Sequence, residues 1–180
     1  EIKDYMNAAV QKAPTTYAAS LIRMSIEPDQ VEIKTAEGKV DSSATYYHYR
    51  QHYWDNTDLT DERILRAPVF QNKFDEYIGK VVPQIPDTIN KLADDLISRM
   101  SSTPELFKFA VHNITYKYET SEIMGMDAVF VHMAQSYYCP KGNEPSKATW
   151  MSKDKLDKLC ERARKQAPIV IGAKAKNIIL

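Results

Sequence analysis

The chain has 180 residues, a length that fits one domain with a sizeable core and no need of staples. Lys plus Arg equal Asp plus Glu at 24 each, and with a pI near 7.1 there is no positive field to draw in nucleic acid or an anionic bilayer surface. No apolar run nears the ~20 residues of a transmembrane helix, and the opening Glu1-Ile2-Lys3-Asp4 is not signal-peptide wording, although a leader removed from a precursor would leave no trace.

Helical spacing dominates the chain, strand alternation is nearly absent, and most of the nine prolines fall between periodic stretches, so the class is all-α. Tyr5, Ala9 and Val10 begin a first helix that stops before Pro14, and Pro14 is suited to open the second, which carries Tyr17, Leu21, Ile22 and Met24. A polar connection turns at Glu37-Gly38 and reaches Asp41, an N-cap for a helix over 42–51. The stretch from His52 to Pro68 reads as a loop holding one helical turn, Asp61 to Leu65, capped by Thr60. Apolar periodicity then predicts helices over 69–82 and 87–100, separated by Pro83 and Pro86. Thr103-Pro104-Glu105 starts another through Tyr118, Met124-Gly125-Met126-Asp127 interrupts it, and helix resumes over 126–138. A last helix, capped by Ser152, runs to about Ala167.

Short loops between amphipathic helices imply an irregular helical bundle of about seven to eight helices. The expected division is a helical domain over 1–168 and an extended C-terminal tail over 169–180. That tail ends on Ile178-Ile179-Leu180, which implies a following domain or docking elsewhere.

His48 and His52 stand four apart on a helix end, a spacing able to serve a metal, but Tyr49 occupies the place where a zinc protease needs Glu and no third ligand is spaced to join them. No metal and no cofactor is expected. The aromatic run Tyr46, Tyr47, Tyr49, Tyr53, Trp54 suits either core anchoring or a groove for a peptide or sugar. Asp55, Asp58, Asp61 and Glu62 beside Arg63 and Arg66 match no calcium loop and read as caps and ion pairs. His112 and His132 lie in apolar helical patterns, where hydrogen-bonded core histidines are the rule. No catalytic residue is assigned. The binding candidates are Tyr49, His52, Tyr53, Trp54, Asp55 and Arg63. Cys139 and Cys160 can form a disulfide or stand as two separate thiols, since spacing alone cannot bring two Cα atoms within the ~7 Å a bridge needs.

The words Tyr-Arg-Gln-His-Tyr-Trp-Asp-Asn-Thr-Asp-Leu-Thr-Asp-Glu-Arg-Ile-Leu-Arg-Ala-Pro at 49–68, Val-Pro-Gln-Ile-Pro-Asp at 82–87, the run from Tyr118 to His132, and Ile-Gly-Ala-Lys-Ala at 171–175 occur together in one order. In these the chain resembles a helical domain of unknown function found N-terminal to the thioredoxin-like domain of envelope thiol-disulfide oxidoreductases in anaerobic gut bacteria. Family members commonly have a proline where Lys176 stands. The resemblance implies a periplasmic or envelope protein, lipid-anchored in its precursor, with a thioredoxin-like partner domain in cis starting near Ile178 and a further protein partner in the envelope. It implies no catalytic residue here, because no Cys-x-x-Cys occurs. The alternative function is a stand-alone helical protein-interaction module of unknown ligand.

Overall fold

The structure, a computed structural model, describes residues 2–173. They form eight α-helices, one 3-10 turn and two π turns, with no strand among the described residues beyond isolated bridges such as Lys34 with Val40. The all-α class and the irregular bundle follow as the apolar spacing implies. No described helix is long and apolar enough to cross a membrane. Of the tail, residues 169–173 are described and 174–180, including Lys176 and Ile178, lie outside the described residues. The chain resolves into two compact units, 1–82 and 83–180.

The first unit contains α1 (Ile2–Lys12), α2 (Tyr17–Met24), α3 (Ser42–His52), the 3-10 turn Glu62–Arg66, and α4 (Pro68–Glu76), which widens into a π turn over Tyr77–Val81. Pro14 does not open α2. Thr16 takes that place with extended backbone, and its hydroxyl oxygen accepts from the Ala19 amide at 3.2 Å, satisfying one of the orphan donors of a helix start. Asp41 caps α3 as its residue type predicts, accepting from the Ala44 amide at 2.9 Å. The 3-10 turn is capped by Asp61 rather than Thr60, whose amide and hydroxyl are both donated to Asp58. A carboxylate reaches the first free amides with two acceptor oxygens, and here it outcompetes the neighbouring hydroxyl.

The second unit contains α5 (Pro86–Arg99), α6 (Pro104–Glu119), α7 (Asp127–Met133) with its π turn Ala134–Tyr138, and α8 (Lys153–Gln166). Pro86 and Pro104 stand at first helical positions, where a missing N–H costs nothing. The core stripe of α5 is Ile89, Ala93, Leu96 and Ile97, and that of α6 is Leu106, Ala110, Val111, Ile114 and Tyr118, both at helical spacing. α7 touches α5, α6 and α8, and Val129, Phe130 and Met133 are accordingly at most 1 % exposed. Gly125 has φ of +86°, and a Cβ there would lie 3.3 Å from Ile171 Cδ1, so both backbone and space call for glycine.

Two helices end in the same unusual way. The Val82 amide donates to Tyr77 O and the Cys139 amide to Ala134 O, each at 2.8 Å and five residues back. Val82 (φ −80°, ψ 125°) and Cys139 (φ −83°, ψ 133°) are both extended, and each precedes a proline. A residue before proline is pushed out of the helical region, and the widened last turn lets its amide find a carbonyl all the same.

Candidate functional site

In the first unit, α3 and the loop after it place His48, His52, Asp55 and Asn56 along a cleft of about 390 Å³ whose other wall includes Lys3, Glu27 and Asp29. The two imidazoles, one helical turn apart, have centroids 4.3 Å apart. His52 Nδ1 is 2.5 Å from Asp55 Oδ2, while His48 Nδ1 is buried with no hydrogen-bond partner. Lys3 Nζ donates to Asp29 Oδ1 at 2.5 Å and to Glu27 O at 3.3 Å, and that ammonium holds the Asp29 carboxyl below its ordinary value. Asn56 Nδ2 donates to Ile26 O at 2.9 Å and pins the loop. Among the described residues, no group of three or more His, Cys, Asp or Glu side chains is placed to hold a metal ion.

The six residues proposed from sequence do not line one cleft, although the Tyr49 and Tyr53 rings meet edge to face at 5.8 Å. Tyr53 and Trp54 are core residues, 3 % and 1 % exposed, their rings packed edge-on or tilted against Tyr77, Phe70 and each other at centroid distances of 5.1–6.3 Å. The Tyr53 hydroxyl donates to Lys73 O at 3.0 Å, and burial followed by the Glu76 charge pushes its pKa well above the phenol range. Lys73 is itself buried, with Nζ 4.7 Å from the Tyr53 ring centroid and donating to Met24 O at 3.3 Å. Desolvation lowers its pKa against the opposing pull of Glu27 and Glu76. Tyr49 faces a separate groove with Tyr46, Val31 and Val40. Arg63 clamps Asp61 through two nitrogens, at 2.7 and 2.8 Å, and lies over the Tyr17 ring. Only His52 and Asp55 remain as neighbours in one cleft, joined there by His48 and Asn56.

In the second unit, Cys139 and Cys160 are joined by a disulfide with Cα atoms 5.5 Å apart. The bridge links the end of the α7 π turn to the middle of α8. It lies at a cleft of about 540 Å³ lined also by Gln135, Pro140, Lys141, Asp157, Ala163 and Arg164. Cys160 is 3 % exposed and Cys139 only half-buried.

A sequence profile for a domain of unknown function, DUF5106, matches residues 4–166. The chain belongs to the DUF5106 family. No curated protein and no solved structure matches it. This DUF5106 chain also holds a cluster that no sequence spacing announces. Asp94 of α5 accepts from the Tyr137 hydroxyl at 2.7 Å and lies 2.9 Å from His132 Nε2. Burial, then the Asp94 carboxylate, pushes the Tyr137 pKa far above its ordinary value. His132 is thus a hydrogen-bonded histidine tying α7 to α5. Asp94 sits on the polar side of its helix, and no local pattern links it to residues 38 and 43 positions away.

Proposed function

We propose that this DUF5106 chain is a non-catalytic helical domain of a thioredoxin-like thiol-disulfide oxidoreductase of the bacterial cell envelope, serving partner or substrate binding or spacing. The observation that carries the reading is the Cys139–Cys160 disulfide, because such a bridge persists in an oxidising compartment and is rare where glutathione and thioredoxin keep thiols reduced. The wording shared with the helical domain that precedes thioredoxin-like folds supports the reading of a partner domain in cis. The cleft lined by His48, His52, Asp55 and Asn56 is the binding surface of choice, since the exposed His52–Asp55 pair borders it while Tyr53 and Trp54 are occupied in the core.

The test uses the natural full-length protein. Its coding sequence beyond Leu180 is expected to encode a Cys-x-x-Cys domain, and trapping its mixed-disulfide partners with and without residues 1–173 is expected to change the trapped set. A downstream sequence with no dithiol domain, or an identical set of partners, overturns the proposal. A stand-alone interaction module is the second reading, favoured by the exposed apolar side chains Ile123 (63 %) and Met124 (88 %) beside Gly125.

A further inference from the structure

We propose that the Cys139–Cys160 disulfide is a thiol-exchange site in its own right, at which an external dithiol enters the cleft beside α8 and attacks Cys139. The proposal stands apart from the accessory-domain reading, because it concerns this chain alone and needs no downstream domain.

Three observations carry it. First, a disulfide that merely staples a core is surrounded by packing atoms, whereas this one lines a cleft of about 540 Å³ with room for an approaching thiol. Second, the two sulfurs are unequally placed. Cys160 projects from the middle of α8 and is 3 % exposed, while Cys139 stands half-buried on the extended backbone that follows the π turn, so the attack falls on Cys139. Third, the lining carries Lys141 and Arg164 against the single carboxylate of Asp157. That excess of positive charge attracts a thiolate and favours the thiolate that leaves. Arg164 Nε also donates to the Cys160 carbonyl at 3.3 Å, which keeps the guanidinium beside the leaving residue.

The step balances with the dithiol as reductant. Its thiolate bonds to Cys139 Sγ, the Cys139–Cys160 bond breaks, and the electron pair leaves on Cys160 Sγ, which takes up a proton. The second thiol of the reagent, giving up its proton, then attacks its own sulfur in the mixed disulfide and releases Cys139. The dithiol ends as a disulfide, and the chain ends with two thiols, having gained two electrons and two protons. Opening the bridge removes the covalent tie between Cys139 and α8.

Reduced glutathione, a monothiol that can stop at the first step and carries net negative charge, is the probe. The native chain is incubated with it, quenched in acid, alkylated and peptide-mapped by mass spectrometry. The expected product carries glutathione on Cys139 and the alkyl label on Cys160, and it forms without denaturant. Lys141→Glu and Arg164→Glu, both at exposed positions, are each expected to slow its formation roughly threefold to tenfold while leaving the helical circular-dichroism signal intact. An adduct that appears only in denaturant, or mainly on Cys160, overturns the exchange site. Rates unchanged within twofold in both charge variants overturn the role of the basic lining.

Discussion

The two π-turn helix ends solve one problem with different chemistry. In Val81-Val82-Pro83 and Tyr138-Cys139-Pro140 a proline stops the helix, the residue before it is extended, and a wide turn recovers the last amide bond. In the first unit the end is then held by the Tyr46 hydroxyl, which donates to Val81 O, and by the ring cluster of Tyr53, Trp54 and Tyr77. In the second it is held by a covalent bond to α8. Backbone rules set the shape of both ends, and side-chain chemistry decides how each is fastened. Only the second fastening can be undone by a reductant.

Breaking each fastening gives a graded series. The largest effect is expected from Trp54→Ala, at about 3–5 kcal/mol, because a fully buried indole leaves a cavity among rings that cannot collapse to fill it. Urea unfolding measures it, and a loss below 1 kcal/mol would restore Trp54 as a surface binding residue. Removing the bridge with the double change Cys139→Ala and Cys160→Ala is expected to cost about 3 kcal/mol, given a 21-residue separation, with the loss confined to the second unit. Dithiothreitol should then have no further effect on that variant's unfolding.

Alkali should separate the units next. Burial pushes Tyr118 and Tyr138 each to about 12, and Tyr137 still higher, against an ordinary value near 10. A phenol whose pKa is raised by folding contributes stability that is intact below the unfolded value and is lost as pH climbs through the folded one. Stability should therefore fall from about pH 10 toward 12, by the order of 2 kcal/mol per buried tyrosine, as followed by phenolate absorbance. Three such tyrosines lie in the second unit, while in the first Tyr53 is raised strongly and Tyr49 less. The second unit is expected to yield first. Tyr46→Phe, which removes a single hydroxyl from Val81 O, should cost about 1 kcal/mol. His52→Ala is the smallest perturbation, within about 0.5 kcal/mol, because the His52–Asp55 pair is open to solvent. A larger loss would mean that the cleft is part of the scaffold.

Helix positions were legible because they rest on local rules. Asp41 as a cap, Pro86 and Pro104 at helix starts, and the apolar stripes of α5 and α6 are written in neighbouring residues. Thr16 and Asp61 were missed as caps because each competes with an equally good candidate one or two residues away, and only the folded geometry chooses. The site was less legible for a different reason. An aromatic run can face solvent or core, and the burial of Tyr53 and Trp54 is settled by Phe70 and Tyr77, about twenty residues on. Asp94 with His132 and Tyr137, and Cys139 with Cys160, are likewise pairings across helices that no spacing rule announces.

The state of the two cysteines is the point on which both the proposed envelope location and the proposed exchange site depend, and it can be read by a thiol titration of the undenatured and denatured protein, purified from its native compartment with free thiols blocked at lysis. No free thiol is expected in either sample, with two after reduction and a single cross-linked peptide pair containing Cys139 and Cys160. Two free thiols before any reductant is added would contradict it.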